Sequence, residues 1–157
     1  MLRAAAVKGV IAGLAGVAVM TIGEKLEQRL TRRPDSFVPA RTLLALLSRR
    51  PAERTQPVVA NYLMHYGTGA LLGALRGVWA QIGLRGPMWS LAHAVVQLST
   101  NQTLENATGV GAPPARWARQ EHAIDVLHKM VCALATGLLA DRLVPEQQRP
   151  LPGRTSH

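Results

Sequence analysis

Acidic, amide and histidine side chains lie within segments of this chain that otherwise consist of apolar residues. Imidazole and carboxylate groups on facing helices are typical ligands of Zn, Mn or Fe, and they also carry protons. Burying such groups is costly, so a set of them on one interior indicates either a satisfied polar core or a function. The residues that we expect to form this polar interior cluster are Glu24, His65, Arg76, His93, Gln97, Asn101, Asp125 and His128.

The spacing of these groups gives little support to a metal site. No HxxxH, ExxH or HExxH pattern occurs in the chain, and those patterns would place two ligands on one helix face. His65, Asp125 and His128 are weak metal candidates, and haem between His65 and His128 is an alternative. A hydrogen-bonded polar core is favoured over a proton or small-ion route and over a metal site, so we expect no cofactor.

The motifs of common enzyme classes are absent. The chain has no GxSxG, no GxxxxGK[ST], no CxxC and no GxGxxG at a strand–helix junction,. Its single cysteine, Cys132, excludes an internal disulfide framework,. We therefore predict no catalytic residue, and the enzyme hypotheses are restricted to a metal or haem protein.

Of the elements that must position the polar groups, the segment Tyr62–Ile82 has the clearest pattern. On a helix of about 100° per residue, its glycines share one face with His65 and Arg76,. The opposite face is aliphatic, whereas a soluble surface helix would carry Lys, Glu and Gln there. This pattern is typical of a membrane helix with lipid behind it and close-packed helices in front.

The N-terminal segment repeats this arrangement, with no charge between Gly9 and Gly23. Its small residues face one way, and Ile11 and Val19 face the other. A cleaved signal peptide is the alternative, although no small-x-small cleavage site follows the apolar run. The glycines predicted to pack helices together in these two segments are Gly9, Gly13, Gly16, Gly69, Gly73 and Gly77.

Two further helices are expected at about residues 88–106 and 119–143. The first of them carries Ser90, His93 and Gln97 on one face, but its second half is polar. It is therefore the weakest crossing, and a short or re-entrant helix is the alternative. In the last helix, Asp125 and Cys132 share the inner face.

The fold class predicted from these patterns is an all-α, four-helix transmembrane bundle, with helices at about 4–26, 61–83, 88–106 and 119–143. Between the first two, Ala40–Ser48 is expected to form a short helix in the membrane interface, or else a cap packed on the bundle,. Residues 1–144 form one domain, and 145–157 are expected to be a disordered tail,.

The formal net charge of +9 has two possible explanations. One is a soluble, basic helical domain that binds nucleic acid, which needs Lys and Arg along one helix face with aromatics between them. Here the arginines lie mainly in a proline-broken loop, so we expect no nucleic-acid partner. The other is an anionic membrane surface, to which basic loops are attracted.

The orientation in the membrane is predicted from the distribution of Lys and Arg. Ten of them lie in the first and third loops, against six on the other side, which favours both termini outside,.

Glycines and polar residues of the first, second and last helices form a further pattern: Gly9 to Gly16, Met20, Thr21, Glu24, His65 to Gly67, Gly69, Gly73 and His128. In this pattern the chain resembles small, uncharacterised bacterial inner-membrane proteins of the YagU-like kind over most of residues 5–143. The resemblance implies a multi-pass inner-membrane protein and supplies no activity, so we expect a structural or accessory role. The expected partner is the lipid bilayer, and the glycine faces could also pair with a second copy of the chain or with another membrane protein.

Overall fold

The computed structural model describes residues 1–49 and 54–146, and this part of the chain is all-helical with no β-strand. The all-α class is thus confirmed. A single 3-10 turn at Pro114–Arg116 precedes the last helix. The five α-helices are α1 (Leu2–Thr31), α2 (Val38–Leu46), α3 (Val58–Gln81), α4 (Pro87–Ala107) and α5 (Arg119–Leu143).

The four long helices form an antiparallel bundle in which α1 packs against both α3 and α5, while α4 packs against α5. The short helix α2 lies against α3 and reaches α4. Its Ala40 N–H donates a hydrogen bond to Asn61 Oδ1 at the start of α3, at 3.2 Å. The chain therefore brings the end of α1, the start of α3, the end of α4 and the start of α5 to one end of the bundle.

Glycines hold α1 and α3 at backbone contact. A Cβ atom added to Gly73 would lie 2.7 Å from the Cα of Gly13, and one added to Gly77 would lie 2.7 Å from the Cα of Gly9. No side chain fits at such a distance, and small residues are what allow helices to approach this closely. Gly69 meets the side chain of Val17 in the same way, so the contact runs along much of both helices.

The interior of the bundle is built from small and polar residues, whereas the large aliphatic residues lie outside. The largest fully buried side chains are those of Arg76 and His93, at 0% and 2% exposure. A soluble bundle of this size buries Leu, Ile and Phe instead. The exposed aliphatic residues of the four long helices include Ile11, Val19, Ile22, Leu71, Leu91, Val95, Leu127, Leu134 and Leu138.

Two of the described helices, α1 and α5, are long and apolar enough to cross a membrane. This is weak support for a membrane location, because a core helix or a signal sequence passes the same test. Helix α1 is nevertheless part of the bundle, since its glycines contact the backbone of α3 and its Gly16 contacts Thr136 of α5. Removal of α1 would expose the packed faces of both α3 and α5.

The first helix extends five residues beyond its expected end at residue 26. The apolar pattern ends there, but polar side chains one turn apart continue the helix. Thr31 Oγ1 donates to Glu27 Oε1 at 2.7 Å, and Gln28 Nε2 donates to Glu24 Oε1 at 3.3 Å. The helix ends at Arg32, which has a left-handed backbone with φ of 59°,.

The other boundaries differ by a few residues. Pro39, expected to precede the short helix, lies in its first turn, where a missing N–H costs nothing,. Helix α3 begins three residues earlier than expected and α5 spans the expected residues. The expected disordered tail is described only as far as Glu146, so its residues 147–157 lie outside the described part of the chain.

Candidate functional site

The two ends of the bundle are built differently. At one end, where α2 lies, there is a cavity of about 570 Å³, which we call the end cavity. At the other end, around the α3–α4 turn, charged groups are tied into a compact network that we call the closed end. The polar residues expected to form one cluster are therefore spread along the bundle: most lie at the end cavity, Arg76 lies at the closed end, and His93 lies between the two.

Six of the eight residues expected in the polar cluster line the end cavity, and the other two do not. Val17 and Met20 of α1 and Met64 of α3 add apolar surface to the same wall. These polar residues thus line a cavity that is large enough for a small molecule,. The six residues are Glu24, His65, Gln97, Asn101, Asp125 and His128.

Three segments outside the long helices complete the cavity wall. The link between α1 and α2 contributes Arg33 and Asp35, and α2 itself contributes Thr42. Trp117, which precedes α5, also lines the cavity, and its Nε1–H donates to Ala112 O at 2.8 Å. Sequence patterns did not point to this role, because none of these residues belongs to a long periodic helix.

Most of the basic groups of this wall are already paired. Arg33 Nη2 lies 2.8 Å from Glu27 Oε2, and hydrogen bonding to that carboxylate raises the pKa of the Arg33 guanidinium above its ordinary value,. Lys129 forms an ion pair with Asp125 one turn away on α5. Asp35 is paired with Lys25, which lies outside the lining.

Helix α4 presents a row of acceptors along the cavity wall, at Gln97, Asn101 and Glu105, each one turn after the last. Glu105 is 9% exposed, and its carboxylate forms no ion pair or hydrogen bond with any described residue. Gln97 is 5% exposed; its Nε2 donates to Cys132 Sγ at 3.4 Å, but its Oε1 has no partner. A buried acceptor without a partner is costly, so the wall at Gln97 Oε1 is suited to receive a donor,.

At the closed end, Arg76 forms an ion pair with a residue that the sequence patterns treated as a mere exit marker. Its Nη2 lies 2.8 Å from Asp141 Oδ1, and its Nη1 donates to Leu84 O at 3.2 Å. The second oxygen, Asp141 Oδ2, accepts from the Gly86 N–H at 2.8 Å. Arg76 is therefore a structural link between α3, the following turn and α5, and it does not face Glu24, His65 or Asp125.

Arg85 completes the closed end by covering helix carbonyls that lack partners within their helices. Its Nε donates to Ala80 O at 2.9 Å, and its Nη1 and Nη2 donate to Asp141 O at 2.7 Å and Val144 O at 2.5 Å. One guanidinium thus satisfies the C-terminal ends of both α3 and α5. Sequence analysis placed Arg85 only in a turn.

His93 lies between the two ends and lines neither. Its Nε2 is 3.1 Å from Leu72 O, and its ring packs edge-on to Trp79 with centroids 6.2 Å apart. Its Nδ1 is buried without a partner. His93 and Gln97 are one turn apart on α4, so they join the two polar regions through a single helix face.

Within residues 1–49 and 54–146, no three His, Cys, Asp or Glu side chains lie close enough together to hold a metal ion. The weak metal candidates His65, Asp125 and His128 line the same cavity without forming such a group. Cys132 is buried at 1% exposure beneath Gln97. The charged and hydrogen-bonding side chains of this wall can hold a ligand through non-covalent contacts.

No family model, curated protein or solved structure matches the chain. The class of protein is accordingly defined by its own fold: an all-helical bundle with an inverted interior and a polar cavity at one end.

Proposed function

We propose that this chain is an integral membrane protein in which all four long helices cross or enter the bilayer, and that it binds a small molecule in the end cavity rather than catalysing a reaction. The observation that carries the membrane part is the inverted interior. Arg76 and His93 are the largest fully buried side chains, while aliphatic residues such as Leu71 are exposed, at 74%. In water this distribution is unfavourable, and in hydrocarbon it is expected.

The position of the cavity relative to the membrane is part of this proposal. The first loop and the connection before α5, which carry most of the Lys and Arg outside the helices, lie at the cavity end. The positive-inside tendency then places the end cavity at the cytoplasmic face of a bacterial inner membrane. Helix α2, with Arg41 and the leucines of its outer side, would lie in the interface,.

The binding role rests on the size and lining of the end cavity. A volume of about 570 Å³ lies within the range of small-molecule sites, and its wall combines apolar residues with a few convergent polar groups,. The absence of reaction motifs in the sequence agrees with binding without chemistry. As part of the proposal, the chain has an accessory role, in which it delivers the bound molecule to another membrane component or senses it for that component.

Cell fractionation tests the membrane part. We expect the full chain to sediment with membranes and to stay there after washes with alkaline carbonate and with high salt, because its outer surface is solvated by lipid. Release by carbonate would contradict the proposal, and release by salt alone would favour the soluble, basic alternative.

A proton path is a second candidate, favoured by the face of α4 that runs from His93 through Gln97 and Asn101 to Glu105 at one-turn intervals. Such chains of ionisable and polar groups are typical of proton routes. In proteoliposomes, this candidate predicts a pH-driven proton flux that His93→Ala and Glu105→Gln abolish. Equal flux from the parent protein, both variants and empty liposomes would exclude it.

A further inference from the structure

We infer that the end cavity takes a small organic ammonium ion, a protonated amine with an apolar body; this rests on the proposed binding function and specifies its ligand. The first observation is the uneven distribution of charge. Among the residues that the structure describes, five of the eight acidic side chains line the cavity, against three of the 15 Lys and Arg. The cavity therefore holds more than half of the described negative charge, although the chain as a whole carries a net charge of +9.

The second observation is that ion pairs within the protein do not use up this negative charge. Asp35 and Asp125 are paired with Lys25 and Lys129. The other three acids of the wall, Glu24, Glu105 and Glu121, form no ion pair with a described residue. Carboxylates that share a cavity disfavour one another, and a cation placed between them relieves that repulsion.

The third observation is deep in the cavity and concerns hydrogen bonding rather than charge. Gln97 Oε1 is buried without a donor. Asn101 and Glu105 follow it at one-turn intervals along the same wall, and Glu105 forms no ion pair with a described residue. A primary ammonium supplies three N–H donors and no acceptor, so it can satisfy Gln97 Oε1 while its charge faces the carboxylates of the wall. A quaternary ammonium would supply the charge but leave Gln97 Oε1 unsatisfied.

The fourth observation is the apolar part of the wall. Val17 and Met20 are buried beside the polar groups, and Met64 faces them from α3. Methionine side chains adapt to irregular apolar shapes, so this surface suits a hydrocarbon or aromatic body. A bare metal ion would use neither this surface nor the volume of about 570 Å³, and the described residues offer it no group of three ligands.

Isothermal titration of the detergent-purified full chain at neutral pH tests this inference with three probes of one shape. Phenethylammonium, phenethyl alcohol and hydrocinnamate carry the same aromatic body and differ in a positive, neutral or negative end group. We expect phenethylammonium to bind at least about tenfold more tightly than the alcohol, because charge-assisted hydrogen bonds to carboxylates are stronger than neutral ones. Hydrocinnamate is expected to bind most weakly.

Three variants locate the binding. Glu105→Gln and Glu24→Gln should each weaken phenethylammonium by about tenfold and leave the alcohol unchanged, since only the charge is removed. Glu146→Gln, which makes the same change in net charge outside the cavity lining, should have no effect. Neither cavity glutamate pairs with a described basic residue, and matching circular dichroism melting curves will show that both variants are folded.

The outcomes separate this inference from the proposed function. If hydrocinnamate or the alcohol binds as tightly as phenethylammonium, or if Glu146→Gln weakens the cation as much as Glu105→Gln does, the ammonium assignment is wrong while the cavity remains a binding site. If none of the three probes binds to a folded sample, both the assignment and the binding function fail.

Discussion

The two ends of the bundle use charged residues in opposite ways. At the closed end, Asp141 Oδ1 pairs with Arg76 and Asp141 Oδ2 accepts from the Gly86 N–H, and Arg85 donates to three carbonyls at the C-terminal ends of α3 and α5. At the end cavity, by contrast, Glu105 is 9% exposed and forms no ion pair with a described residue. Ionisable groups therefore hold the structure together at the closed end, and we propose that those at the end cavity bind a ligand. The consequence is that substitutions at the closed end should reduce stability, and those at the end cavity should reduce binding.

The largest effect is expected when Asp141 is replaced by alanine. Arg76, at 0% exposure, would then keep a buried charge without its carboxylate, and breaking a buried pair in this way costs about 3 to 5 kcal/mol. The free energy of unfolding can be measured by circular dichroism as SDS is titrated into detergent micelles. Adding Arg76→Met to the same chain should restore part of the loss, because the uncompensated charge is gone.

Asp35→Ala is the matched control at the cavity end. The Lys25–Asp35 pair is 44% and 47% exposed, so its loss should cost no more than about 1 kcal/mol. Equal destabilisation by Asp35→Ala and Asp141→Ala would remove the distinction between the two ends.

A smaller loss is expected from Gly73→Ala in the contact between α1 and α3. The added Cβ would lie 2.7 Å from Gly13 Cα, so the helices must separate, and overpacking of this kind costs about 1 to 3 kcal/mol. Gly67→Ala, on the same helix with nothing within 4 Å of the added atom, should be neutral or slightly stabilising. The same unfolding titration compares the two. If the two variants unfold alike, α1 and α3 are not in backbone contact.

The smallest change in stability is expected for Asp125→Asn. Its pair with Lys129 joins residues one turn apart at the cavity wall, with the lysine 12% and the aspartate 31% exposed. An amide at this position still accepts a hydrogen bond from Lys129, so the unfolding free energy should fall by no more than about 1 kcal/mol. A loss as large as that of Asp141→Ala would show that Asp125 belongs to the structural network rather than to a binding wall.

The helical class followed from periodicity alone, because small and large residues alternate with the period of a helix in each long segment. The spacing of Gly69, Gly73 and Gly77 likewise predicts which face of α3 packs closely, since only the face that carries them can approach another helix backbone,. A helical wheel does not reveal which helix fills that face. That α1 does so depends on the antiparallel arrangement of the whole bundle.

The pairing at the closed end could not be derived from the sequence. Arg76 and Asp141 are 65 positions apart, and the pattern of α5 places Asp141 at a helix end where charge is expected in any case. The packing of α3 against α5 brings them together. The turn at Gly83 and Gly86, both with positive φ, adds the Leu84 carbonyl and the Gly86 N–H to the pair,. The cavity wall was missed for a related reason, because Arg33 and Asp35 lie in a non-periodic link that folds over the bundle.

The account depends most on the claim that lipid covers the aliphatic outer faces. Spin labels at Leu71 and Leu134, introduced one at a time into a Cys132→Ala chain in liposomes, test this directly, with Thr55 in an exposed loop as the reference. We predict that labels at both leucines collide more often with oxygen than with a water-soluble nickel chelate, and that the label at Thr55 does the reverse. Preferential collision with the nickel chelate at Leu71 and Leu134 would contradict the account.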